Sequence, residues 1–162
     1  AKAIAGFGVD VSRIQWDMTS IGLFGAYKAP GGDFIEPRFG HPKDRRPDLL
    51  QVQAGLAVSA DGGIPLWHRA YDGGAGEVAQ VVPAMEALSK LAGERHFLMV
   101  GDSKLVSYPN LAAINQAEVT FIAPASKTYV GAAVLAALDP DAADPVDYIA
   151  QRDAKRGGMR IL

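Results

Sequence analysis

The chain has 162 residues, 49% of them apolar and 21% charged, with a formal net charge of −2. These values describe a folded domain of ordinary size and exclude both a disordered chain and a dedicated basic nucleic-acid module. Cysteine is absent, which removes disulfides and thiolate metal sites and fits a reducing cytoplasm.

Residues 1–7 read as the last turns of a helix, stopped by Gly6 and Gly8. Arg13 to Phe24 reads as a strand, or as two strands bent at Gly22. Residues 25–50 are rich in Gly, Pro and charge, the composition of a long functional loop. Val52, Ala54, Leu56 and Val58 then alternate with Gln53, Gly55 and Ala57, a period of two that predicts a strand. Asp61-Gly62-Gly63 is a turn signal, and Ile64 to Tyr71 is the returning strand of a hairpin.

From Glu77 onward, Val78, Val81, Val82, Met85, Leu88 and Leu91 share one helical face. Pro83 lies inside this run, so it either kinks the helix or marks its start. His96 to Val100 is a short apolar run of the kind buried on both sides of a sheet. Ser107 or Tyr108, followed by Pro109, opens another helix. Val119 to Ala123 predicts a further buried strand, and Val130 to Leu138 a helix. No apolar run is long enough to span a membrane.

A meander followed by alternating helices and strands implies a mixed sheet covered by helices. The order is that of a ribonuclease H-like α/β domain, with an antiparallel meander and then parallel strands. We place this core at residues 9–138, incomplete at its C-terminal end, with 139–162 as a linker and the start of an insertion. The chain opens without Met and ends at Arg160-Ile161-Leu162 in what reads as a new strand, the pattern expected of a fragment or excised domain.

Within that topology two acids stand out. Asp17 follows Ile14-Gln15-Trp16, and Asp102 follows Phe97-Leu98-Met99-Val100-Gly101, each read as lying at the end of an apolar strand. A carboxylate beside a buried strand is costly to desolvate unless it is paired, hydrogen-bonded or bound to a cation. Adjacent strands would make the two acids neighbours, able to hold Mg²⁺ or Mn²⁺ through hard oxygen ligands. Two such ions about 4 Å apart can serve phosphodiester hydrolysis and strand transfer. The plainer alternatives are that Asp17 caps a bend and Asp102 caps a helix.

The residues around both acids carry a resemblance. Trp16-Asp17-Met18-Thr19-Ser20, Gly40-His41-Pro42-Lys43-Asp44-Arg45-Arg46-Pro47-Asp48-Leu49-Leu50-Gln51, the Asp61-Gly62-Gly63-Ile64-Pro65-Leu66 turn and Gly101-Asp102-Ser103-Lys104 together resemble bacterial insertion-sequence transposases of the DDE group, over about residues 9–125. The resemblance implies DNA transposition, with metal-dependent cleavage at transposon ends and strand transfer into a target. It implies Asp17 and Asp102 as the first two catalytic, metal-binding acids. It also implies a homodimer on paired DNA ends in the full-length protein, no membrane association, and a bacterial, nucleoid-associated cytoplasmic location. The family's third acid is a Glu on a later helix, within a Tyr-x-x-Arg-x-x-x-Glu pattern. Tyr148 and Arg152 miss that spacing, so the Glu is expected beyond Leu162. The family's Gly-Asn-x-x-Asp segment is replaced by Gly73-Gly74-Ala75-Gly76-Glu77, which makes Glu77 a loose counterpart of its Asp.

Lys43, Arg45, Arg46 and Lys104 are the candidate DNA contacts, through phosphates and without sequence preference. Asp44 and Asp48 interleave with the first three, so internal ion pairs are the competing reading. Two other functional readings stand beside transposition. One is a non-catalytic remnant that binds DNA or protein. The other is a nicotinamide-binding domain, because Gly74-Ala75-Gly76-Glu77-Val78-Ala79 fits a G-x-G-x-x-A fingerprint between a strand and a helix.

Overall fold

The computed structural model describes residues 2–27, 32–40 and 45–144. Lys43, Asp44, Tyr148, Arg152 and most of the 139–162 segment therefore lie outside the described residues. The chain divides into a unit of residues 1–126 and a second unit of 127–162. The described part of the second unit holds a short helix, α4 (Ala132–Ala136), and a 3-10 turn at Pro140–Ala142.

The first unit is a five-stranded mixed sheet. Its strands are β1 (Arg13–Leu23), β2 (Leu50–Ser59), β3 (Pro65–Tyr71), β4 (Leu98–Val100) and β5 (Thr120–Ile122). Their order is β3-β2-β1-β4-β5. β1, β2 and β3 form the antiparallel meander, while β4 and β5 join parallel to β1 and to each other. This is the ribonuclease H-like arrangement expected from the order of elements. The hairpin turns at Gly63, whose φ of +64° suits glycine.

Helices α1 (Lys2–Phe7), α2 (Val81–Ala92) and α3 (Tyr108–Gln116) complete the unit. Alternation along β1 sends Ile14, Trp16 and Met18 to one side, where all three are buried. Val81, Ala84, Met85, Leu88 and Ala92 of α2 join them, with Met99, Leu105 and Ile114, in one core. Pro83 stands third in α2, inside the first turn, where its missing N–H costs nothing; it marks the helix start and no kink is needed. Ser107 caps α3, its Oγ accepting from Asn110 N at 3.4 Å.

Three expectations change. Asp17 lies in the middle of an unbroken 11-residue β1, not at its end. β5 is exposed along its length instead of buried, because it is the sheet edge. Met99 is fully buried, yet Leu98 and Val100 are only half-buried, so β4 is covered fully on one side alone.

The same one-sidedness holds in β2. Its buried set is Gln51, Gly55, Ala57 and Ser59, on the face that carries Trp16 and Met18. The more apolar alternate set, Val52, Ala54, Leu56 and Val58, looks the other way. On that open face Leu56 is 43% exposed and Ile122 57%.

Candidate metal centre

The register brings the two aspartates together. Gln15 of β1 pairs with Val100 of β4 in parallel. Two residues further along each chain stand Asp17 and Asp102, side by side beyond the last paired rung. β1 carries on past this point as a partner of β2 alone, with Asp17 opposite Leu56. The early end of β4 thus opens a notch beside Asp17, and Asp102 stands at its rim.

A third acid enters from the helix side. Glu77 precedes the 3-10 turn Val78–Gln80 that leads into α2. One carboxylate oxygen each from Asp17, Glu77 and Asp102 lies within 4.8 Å of the others. Asp17 and Asp102 are exposed and Glu77 is half-buried. The sequence marked Glu77 only as a loose counterpart of an Asp in the resembled family and not as a third ligand, which was expected in a later helix beyond Leu162. The available signal was an acid at the first turn of the helix that follows the hairpin.

Asp102 does the capping considered for it, whereas Asp17 caps no bend, since β1 runs unbroken through it. Asp17 Oδ1 accepts from Met18 N at 2.8 Å. Asp102 Oδ1 accepts from Lys104 N at 2.8 Å and caps the 3-10 turn Ser103–Leu105. These bonds fix each carboxylate relative to its backbone, which is what a pre-organised ligand set needs.

The trio fits a small hard cation. Oxygens around an octahedral Mg²⁺ with bonds of about 2.0–2.1 Å stand about 3 Å apart when adjacent and about 4 Å apart when opposite. Separations within 4.8 Å need only a small side-chain adjustment to meet that geometry. All three donors are carboxylates, the ligand type that Mg²⁺ and Mn²⁺ favour.

Beside the trio lies a cavity of about 460 Å³, with Ser20, Gln51, Gly74, Glu77 and Lys104 among its walls. Gln51 is 1% exposed, and its Nε2 donates to Gly73 O at 2.8 Å. Its Oε1 has no hydrogen-bond partner among the described residues. The Arg38–Gln51 bridge and the bond from Gly73 N to Glu36 O clamp the 36–38 segment onto this wall.

The basic candidates separate. Lys104 lines the same cavity as Glu77. Arg46 is held by Asp48 through two bonds, of 2.8 and 2.7 Å, and lies 5.7 Å from the centre of the Phe24 ring. The Arg46 guanidinium in turn holds the Asp48 carboxyl below its ordinary range. Arg45 is exposed, with a φ of 60°. Lys43 lies outside the described residues.

The nicotinamide reading does not survive the topology. A dinucleotide fingerprint needs a central parallel strand running into its glycine loop. β3, which precedes Gly74, is an antiparallel edge strand, and Val78–Gln80 is a 3-10 turn.

No protein-family profile matches the sequence, and no curated protein does. Among solved structures, the chain is similar to the catalytic domain of Mos1 mariner transposase, with a TM-score of 0.45 and 8% identity over 72% of this chain and 50% of that one. It is similar to a Mos1 mariner paired-end complex with Mn, at 0.48 and 11% over 72% of this chain and 36% of that one. A piggyBac transposase synaptic complex with hairpin DNA gives 0.48 and 15% over 69% and 22%. The chain thus spans no more than half the length of these proteins.

Proposed function

We propose that this chain carries the metal-binding core of a DDE-type DNA transposase, which cuts transposon ends and transfers the cut strand to target DNA. The observation that carries this reading is the meeting of Asp17, Glu77 and Asp102 within 4.8 Å at the notch where β4 ends. The ribonuclease H-like sheet and the Lys43-to-Gln51 motif agree with it.

In this reading Asp17, Glu77 and Asp102 hold one or two divalent cations, Mg²⁺ or Mn²⁺. Bound there, such an ion would supply activation of a water or 3′-hydroxyl nucleophile and stabilisation of the leaving oxygen. The chain's own part is positional. Asp17 is fixed by a continuous strand, Asp102 by its cap bond to Lys104 N, and Glu77 by the turn before α2. Lys104, on the wall of the same cavity as Glu77, meets the phosphate of the reacting strand. Lys43, Arg45 and Arg46 contact the DNA backbone further out. A homodimer on paired ends, in a bacterial nucleoid, belongs to the same proposal.

The remnant reading keeps the fold without the metal, and titration separates the two. Mn²⁺ added to ¹⁵N-labelled protein broadens the amides of Asp17, Glu77 and Asp102 first, saturably, with reversal by EDTA. Absence of saturable broadening at millimolar Mn²⁺, with the fold intact, sinks the transposase reading in favour of the remnant.

A further inference from the structure

A second cavity of about 420 Å³ borders the one beside the acidic trio, and Gly74 and Ala75 line both. The outer cavity is walled by Phe34, Arg38, Arg69, Tyr71 and Asp72. Each volume is on the scale of a small-molecule pocket, about 300–1,000 Å³, and thus of a nucleotide more than of a duplex.

Gly74 and Gly76 need an explanation that the chain's own packing does not supply. Neither has a positive φ. A Cβ on Gly76 would meet nothing within 4 Å, and one on Gly74 only Arg38 Cδ at 3.9 Å, among the described residues. Gly73 is different, since a Cβ there would stand 2.6 Å from Arg38 O. Gly73 is glycine for the fold; Gly74 and Gly76 leave a bare floor that the fold does not require.

The walls suit an unpaired nucleic-acid strand. Phe34 is 67% exposed, a ring face available for stacking. Arg69 lies 5.4 Å from the centre of the Tyr71 ring, presenting its guanidinium from a fixed aromatic seat. Lys104 is the cation at the other end. Arg38, paired with Glu36, lines the outer cavity together with Arg69. Of the carboxylates, Glu77 belongs to the acidic trio, while Asp33 and Asp72, whose Oδ1 accepts from Glu36 N at 2.9 Å, are the opposing charges of the outer cavity. Gln51 and Tyr71, 1% and 8% exposed, line the two cavities, and each has a polar atom without a partner among the described residues. Cations that track phosphates, an aromatic face and a floor without side chains are the components of single-strand grooves.

We propose that Gly73–Gly76 is the floor of a groove for one DNA strand, which leaves the acidic trio, crosses Gly76 and Gly74, and stacks a base on Phe34 with its phosphate at Arg69. This rests on the transposase reading and adds the path of the strand and the unpaired state of its bases.

Fluorescence anisotropy of a labelled oligothymidine of about ten nucleotides, within the usual range of single-strand sites, tests the groove on the full chain. Phe34→Ala lowers affinity about tenfold, the loss of one stacked base, with the salt dependence unchanged. Arg69→Gln reduces the slope of log affinity against log salt by about 0.7, one phosphate contact. Gly76→Val blocks the floor and lowers affinity at least about tenfold without moving the thermal transition. The proposal is overturned by unchanged binding in Phe34→Ala and Gly76→Val, by equal losses for duplex and single strand, or by no single-strand binding at low salt. Mn²⁺ broadening at Asp17 and Asp102, read on the same samples, keeps the two ideas apart. Metal binding without groove effects removes the groove alone, and absence of metal binding removes the reading beneath it.

Discussion

Replacing Asp102 with Asn removes a charge and keeps a cap. Asn caps a helical turn as well as Asp does, so the bond from Lys104 N survives the change. The electrostatics of the trio do not. Two unit charges no more than 4.8 Å apart repel by at least about 0.9 kcal/mol in water and about 3.5 kcal/mol at an effective dielectric of 20. Asp17 and Asp102 are exposed, so the aqueous value applies, reduced by nearly half at physiological salt. Asp102→Asn removes two such repulsions, and without metal the variant should be more stable than the parent by about 1 kcal/mol. On the proposed metal site, divalent cation should reverse the order. A ligand at one hundred times its Kd adds about 2.7 kcal/mol to the protein that binds it, and the variant has lost one ligand of three. Urea denaturation in EDTA and again in millimolar Mg²⁺ reads both signs in one pair of curves. The argument fails if Asp102→Asn is the less stable protein in EDTA, or if Mg²⁺ stabilises both proteins equally.

Other predictions concern the frame that holds the trio. Gly73→Ala drives a Cβ into Gln51 O and against Arg38 backbone atoms at 2.6 and 2.7 Å and should cost at least about 1–3 kcal/mol, seen as a lower urea midpoint with Gly76→Ala as the neutral control. Leu88→Ala empties a fully buried site and should cost about 2–5 kcal/mol in the same assay. Ser107→Ala removes the α3 cap and should cost about 1 kcal/mol, with Ser107→Asp restoring it. Burial holds the Tyr71 hydroxyl above its ordinary range, so the unfolded chain loses that proton first. Stability should therefore fall as the pH rises above about 10, and Tyr71→Phe should flatten that limb of the profile.

Much of the frame was legible because its signals are local. The Asp61-Gly62-Gly63 turn, the Ser107-Tyr108-Pro109 helix start and the short apolar runs that became β4 and β5 each depend on a few adjacent residues. The Asp17–Asp102 neighbourhood followed from element order, since the parallel pairing of β1 and β4 leaves little choice. Glu77 was not legible as a partner. Its approach depends on how the chain leaves β3, an edge strand two places from β1, and returns as α2 on the helix side. The burial of β2 also defeated its own pattern. The period of two was correct, but the larger apolar set, Leu56 and Val58, faces away from the helices while Gly55 and Ala57 lie beneath them. Close approach to bulky Trp16 and Tyr71 demands the small set on that side, because a Cβ on Gly55 would stand 3.3 Å from the Tyr71 ring.

That open side of the sheet has a consequence for the metal. Asp17 and Leu56 are cross-strand partners and therefore point to the same side. Any body that shields Leu56 from water also presses on the Asp17 side chain and selects its rotamer. If the trio holds a metal as proposed, a detergent that covers Leu56 should therefore shift Mn²⁺ affinity through its contact with Asp17.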